Sequence, residues 1–168
     1  MIIERLNQIA YKKIIWILAI TETLHNLEEA VWLPKWSQTA GIWQPVGTFE
    51  FRFAVIVVTL VFYGIIYYFS VSKSKLSGYM LGGALVMVLV NVLIPHIIAV
   101  IFIRRYVPGV ITGIILNVPA TLYLLQRGIK EGIYDFKILI KYGIAFSLIV
   151  LPLLQISFCL GRTIESML

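Results

Sequence analysis

Charge is what this sequence has least of. Of 168 residues only 13% are Asp, Glu, Lys or Arg, while 60% are hydrophobic and the mean hydropathy is +0.94. An ordinary soluble domain carries about 25% charged and about 45–50% apolar residues. The apolar excess excludes a disordered chain, and a soluble core of this length cannot hide so much of it. Cysteine is nearly absent. Cys159 stands alone in a late apolar run, which excludes an internal disulfide, a thiolate cluster and a zinc knuckle. No GxxxxGK[ST] loop is present to cradle a phosphate, and no GxSxG turn to expose a serine nucleophile. The net charge of +6 comes from 14 basic against 8 acidic residues. The basic residues mostly flank apolar runs, so anionic headgroups and topology account for them, and no nucleic-acid partner is expected.

What the sequence has in abundance is long apolar runs. Five are long enough to cross a hydrocarbon core of ~30 Å, which takes about 20 helical residues. They run over Lys12–Leu33, Glu50–Ser70, Tyr79–Ile103, Tyr106–Leu125 and Phe136–Leu160. They are continuously apolar rather than alternating, which predicts helices and not a barrel. The expected fold is therefore all-α, a polytopic membrane bundle of about five transmembrane helices in one membrane-embedded domain, residues 1–168. The first run is too polar at its C-terminal end for a signal peptide and is expected to be retained. The longest connection, Pro34–Phe49, is flanked or occupied by Trp32, Trp36 and Trp43, which predicts a loop lying on the bilayer surface.

Five spans put the termini on opposite sides. One side collects Arg5, Lys12, Lys13, Lys73, Lys75, Arg127, Lys130, Lys137 and Lys141; the other has Lys35, Arg52, Arg104, Arg105 and Arg162. The positive-inside rule then predicts a cytoplasmic N-terminus and an external C-terminus. Pro95, Pro119 and Pro152 fall inside spans, where each removes a backbone hydrogen bond. Gly109 and Gly113 form a GxxxG, which close helix packing explains.

The few polar residues inside the spans are not scattered. Three carboxylates and a histidine fall between Glu22 and Glu29 of the first span. Charges at mid-bilayer cost several kcal/mol each, about 2.5–3.5 on insertion scales, and survive by facing the bundle interior and pairing. Glu22, His25 and Glu29 share one helical face, with Glu28 on its flank. The same outer layer receives Glu50 and Arg52 from the start of the second span and His96 from the third. Asn91 and Asn117 lie near the middle of their spans. Asn91 and His96 are too far apart to share a face on a straight helix, but Pro95 between them loosens the turn so that both can point inward.

This inventory points to a metal centre. His25, Glu29 and His96, with Glu22 and Glu50 as further candidates, offer imidazole and carboxylate ligands without thiolate. That set suits a divalent transition metal, zinc first and manganese or iron as alternatives. Only Glu22-x-x-His25 has the Glu-x-x-His spacing of dinuclear carboxylate sites, so one ion is expected rather than two. Glu28 is the expected general acid or base, and Arg52, Asn91 and Asn117 the groups that orient substrate. Arg52 could equally neutralise a buried glutamate.

His25-Asn26-Leu27-Glu28-Glu29 reads as HxxEE and is followed by Arg52 and by Asn91-x-x-x-x-His96. This ordered set resembles the HXXEE-domain family of small bacterial integral membrane proteins, from the first span through at least the fourth. The resemblance implies a membrane-embedded, metal-dependent enzyme of the bacterial plasma membrane and supplies no substrate. The expected function is hydrolysis or group transfer on a lipidic or amphipathic substrate, with membrane lipid as the partner. Two other readings use the same residues. One is a metal-free acid–base isomerase built on His and Glu. The other is a non-enzymatic binder, transporter subunit or immunity-type membrane protein.

Overall fold

A computed structural model describes residues 2–41, 44–72 and 74–168. Trp43 and Lys73, read above as interfacial and as a topology charge, lie outside the described residues. Two short helices, α1 (Ile2–Gln8) and α2 (Tyr11–Ile14), precede the long α3 (Trp16–Ala40). Next come α4 (Thr48–Val71) and α5 (Lys75–Asn91), the latter continued through a π-helical turn (Val92–Ile97) into α6 (Ile98–Ile103). The next helix begins as α7 (Val110–Thr112), passes through a second π turn (Gly113–Asn117) and ends as α8 (Val118–Lys130). The last helix, α9, spans Phe136–Glu165. No strand occurs among the described residues.

Four of these helices are long and apolar enough to cross a membrane: Thr48–Val71, Lys75–Ile103, Val110–Lys130 and Phe136–Glu165. They are consistent with a membrane protein, and most of their outward-facing side chains are large and apolar. Ile101, Phe102, Leu148 and Ile149 are all more than half exposed, as lipid-facing residues are. The helix Trp16–Ala40 is equally long, at 25 residues, but carries Glu22, Glu28, Glu29 and Lys35.

Several boundaries differ from those expected, the third span starting at Lys75 and the fourth and fifth ending at Lys130 and Glu165, and two of the differences shape the site. The first long helix does not end at Leu33. It runs through Pro34 to Ala40 and stops at Gly41, whose φ of 73° breaks the helix. Pro34 has no N–H, so the Ala30 carbonyl loses its helical partner. Arg52 of α4 supplies the replacement: its Nε donates to Ala30 O at 3.2 Å. The fourth span begins at Val110 rather than Tyr106. Residues 104–109 form a turn in which Arg104 has φ 55° and Gly109 has φ 90°. Trp36 Nε1 donates to Tyr106 O at 3.0 Å, and Arg105 Nη2 to Thr39 O at 2.7 Å, so the turn is fastened to the end of α3.

The apolar core lies towards the other end of the bundle, around Ile15, Leu18, Phe62, Ile66, Leu81, Leu85 and Leu124. There Tyr11 Oη donates to Leu124 O at 2.9 Å and shares a short hydrogen bond with Tyr134 Oη. The helices α5 and α9 approach closely at Gly83, where a Cβ would meet the Tyr142 carbonyl oxygen at 2.6 Å. Small residues let helix backbones approach in this way, which is how helices associate where no hydrophobic force separates them from lipid.

Gly83→Ala therefore costs about 1–3 kcal/mol by overpacking against backbone that cannot yield. It should lower the thermal midpoint of the detergent-solubilised protein. Gly64 of α4 has open space at its Cβ position. Gly64→Ala should leave the midpoint unchanged or raise it, since Ala is favoured over Gly in a helix by about 0.5–1 kcal/mol.

Candidate metal centre

Three helices converge on His25. The ring is fully buried, and so is that of His96 at 2% exposure. The π turn at Val92–Ile97 is what brings Asn91 and His96 to the same place. It adds a residue to the turn around Pro95 and rotates His96 inward. The two imidazoles meet edge to face with centroids 5.0 Å apart. His96 Nε2 lies 3.1 Å and His25 Nε2 3.8 Å from Glu29 Oε1. One ligand atom from each of His25, Glu29 and His96 lies within 4.8 Å of the other two. Asn91 Nδ2 stands 3.3 Å from His25 Nε2.

Gly109 closes the site from the turn above. A Cβ there would sit 2.5 Å from His96 Cε1 and 2.9 Å from His25 Cε1. The same residue needs a positive φ to start the Val110 helix, so backbone conformation and ring packing both demand glycine. The GxxxG therefore divides its work. Gly113 packs against Val92, as expected of a packing motif, while Gly109 seats the two imidazoles.

Behind His25 the chain supplies a second layer of polar contacts. Thr112 Oγ1 lies 3.1 Å from His25 Nδ1 and donates to Glu28 Oε2 at 2.5 Å. The same Glu28 oxygen accepts from Thr112 N at 3.0 Å, and Glu28 Oε1 accepts from Tyr106 Oη at 2.5 Å. Burial and the Glu28 carboxylate beside it raise the Tyr106 phenol above its ordinary range. Neither Thr112 nor Tyr106 stood out in the sequence. A signal was present: Tyr106, Gly109 and Thr112 recur every third residue at the same depth as the HxxEE segment.

The remaining predicted residues are divided. Glu22 is buried and accepts from Asn117 Nδ2 at 2.8 Å, apart from the group formed by His25, Glu29 and His96. Glu50 is also buried but caps α4, with Oε1 accepting from Gly47 N at 2.6 Å, and its Oε2 pairs with Arg162 Nη1 at 3.1 Å. It is a structural carboxylate outside the histidine cluster. Arg52 is exposed and committed to Ala30 O, so it does not reach the site.

A cavity of about 580 Å³ lies beside the centre. Glu22, Asn26, Glu29, Asn91 and His96 line it beside the centre, apolar residues such as Val58 and Leu154 line its length, and Arg162 is its one Lys or Arg among the described residues. Glu28, Arg52 and Asn117 do not line it. The cation that faces the cavity is thus Arg162, which sequence reasoning counted only as a topology charge.

These residues carry the pattern of a known family, which matches over residues 16–124 and is described as proteins of unknown function with an HXXEE motif. The chain belongs to the HXXEE family. The uncharacterized protein YrkK of Bacillus subtilis (strain 168) is 35% identical over 148 residues, covering 85% of this chain and 92% of YrkK. No solved structure matches. In the HXXEE motif of this chain the histidine and the second glutamate face the centre. The first glutamate turns to Thr112 and Tyr106.

The donor set fits a tetrahedral or five-coordinate divalent ion. Ligand atoms about 2.0–2.2 Å from zinc lie about 3.3–3.6 Å from one another, between the 3.1 Å and 3.8 Å separations found at Glu29. His96 Nδ1 is buried with no hydrogen-bond partner among the described residues, and Nε2, also buried, has the Glu29 carboxylate at 3.1 Å. A buried polar group without a partner is costly, and coordination would relieve it.

Gly109→Ala should displace both imidazoles. The left-handed conformation alone costs about 1–2 kcal/mol for a residue with a Cβ. We expect a lower thermal midpoint and faster modification of the two histidines by diethylpyrocarbonate; unchanged reactivity would contradict the packing of Gly109 against the rings.

Proposed function

We propose that this chain is an integral membrane enzyme of the bacterial plasma membrane. It uses a divalent ion held by His25, Glu29 and His96 to hydrolyse, or transfer a group from, a lipidic or amphipathic substrate. The observation that carries the reading is the buried His96 ring. Its Nδ1 lacks a hydrogen-bond partner among the described residues, and its Nε2 faces the Glu29 carboxylate and a second histidine beside a large cavity. Zinc fits the mixed nitrogen and oxygen donors best, with manganese or iron as alternatives. When bound, the ion supplies Lewis acidity towards a substrate carbonyl or phosphoryl oxygen.

The other residues have separate tasks. Glu22, on the cavity wall and oriented by Asn117, is the carboxylate available to take or give a proton at Oε1 or Oε2. Glu28 was expected in that role, but three donors occupy its oxygens and it does not line the cavity. Asn91 borders both cavity and His25 and can orient a bound carbonyl. The apolar length of the cavity accepts a hydrocarbon chain, and Arg162 stands where a polar headgroup would meet water.

In this reading the N-terminus is cytoplasmic and the cavity mouth faces outward. The basic residues favour that orientation under the positive-inside rule. Alkaline phosphatase fused after Leu168 should be active, and the same enzyme fused into the loop between α4 and α5 inactive; the reverse pattern would invert the topology.

The central test is metal analysis of protein purified without chelator. Wild type should hold close to one equivalent of zinc, manganese or iron. His25→Ala, His96→Ala and Glu29→Gln should each weaken zinc binding by more than about 100-fold, since each removes a ligand. Glu50→Gln should retain the metal while unfolding at lower temperature. Wild type free of metal that also fails to bind added zinc would overturn the metal centre. Mass spectrometry of a bacterial lipid extract incubated with wild type or Glu22→Gln then reads the reaction. Product formed by wild type and lost in the variant is the expected result.

A further inference from the structure

We infer that Thr112 and Glu28 form a positioning pair that fixes which nitrogen of His25 faces the site. The inference deepens the metal-centre reading and assigns a task to a threonine outside the HXXEE motif.

The argument is a count of protons. Glu28 offers only acceptors, and three donors converge on it: Tyr106 Oη, Thr112 N and Thr112 Oγ1. A threonine hydroxyl has one proton to give. The short 2.5 Å contact to Glu28 Oε2 takes it, since the other acceptor in reach, Gly109 O, is 3.5 Å away. Thr112 Oγ1 can then only accept at its remaining neighbour, His25 Nδ1, 3.1 Å away. So His25 carries its hydrogen on Nδ1. Its Nε2 is left with a lone pair, directed at Asn91 Nδ2 and towards Glu29. Asn91 can turn either its amide nitrogen or its oxygen to the ring, and here it follows that choice, with Nδ2 donating to the lone pair.

The geometry around Thr112 holds this direction of hydrogen bonding. Its own N–H is also bonded to Glu28, so the residue is gripped at two points by one carboxylate. Metal-binding histidines commonly have the second nitrogen fixed by an outer hydrogen bond, and loss of that partner costs about 10–100-fold in metal affinity.

Two measurements test the pair, one of which needs no metal. Ring-nitrogen NMR shifts of histidine-labelled, metal-free protein in detergent report the tautomer, with the His25 signals assigned by their absence in His25→Asn. Wild type should show hydrogen on Nδ1. Thr112→Val should lose that preference and Thr112→Ser should keep it. Glu28→Gln should reverse it, because its amide can donate to Thr112 Oγ1 and release the hydroxyl proton towards His25. In zinc competition titrations, Thr112→Val and Glu28→Gln should bind about 10–100-fold more weakly and Thr112→Ser within about threefold of wild type. Hydrogen on Nε2 in wild type, or a tautomer unchanged in both Thr112→Val and Glu28→Gln, would overturn the inference. If wild type shows the Nδ1 tautomer set by Thr112 but binds no zinc, the positioning pair stands and the metal reading fails.

Discussion

The contact between Glu28 and the start of the Val110–Lys130 helix organises the histidine-bearing end of the bundle. Gly109 precedes that helix and has no side chain with which to cap it. A helix start leaves backbone N–H groups unpaired and a partial positive charge, and both are costly away from water. Glu28 meets the two needs from another helix, accepting from Thr112 N and Thr112 Oγ1. One carboxylate thereby joins α3 to the fourth span and sets the height at which Gly109 meets the histidine rings.

Other irregular points follow the same constraint, that freed backbone groups inside an apolar bundle must find partners. Pro34 releases the Ala30 carbonyl, and Arg52 takes it. Gly47 starts α4 without a capping side chain, and Glu50 returns to its N–H while pairing with Arg162 of α9. In each case a charged residue that looks like site chemistry in the sequence is engaged with backbone. What remains for a ligand is the set whose polar atoms are not consumed this way: Glu22, Glu29, His96 and the inner nitrogen of His25.

The π turns give the centre its shape. A regular helix would place Asn91 and His96 on different faces. The wider turn over Val92–Ile97 puts Asn91 against His25 and His96 against Glu29. The second π turn, over Gly113–Asn117, lies opposite and ends at Asn117, which holds Glu22. Proline accompanies both, Pro95 within the first and Pro119 just after the second. Irregular helix at these positions therefore aims side chains as well as bending the bundle.

The sequence by itself determined the helical membrane-type architecture, the convergence of Glu29 and both histidines, and the neighbourhood of Asn91. Those properties follow from apolar run length, helical periodicity and a proline, all of them local. It did not determine what each carboxylate does. Glu28 and Glu29 are adjacent, yet about 100° of helical rotation separates them. One meets Thr112 and Tyr106, the other His96 and the cavity. Glu50 and Arg52 lie at the expected depth but answer to Gly47, Arg162 and Ala30. Depth and face are written in the spacing along one helix. The partner across the interface belongs to a distant segment, and only tertiary packing decides which donor arrives there.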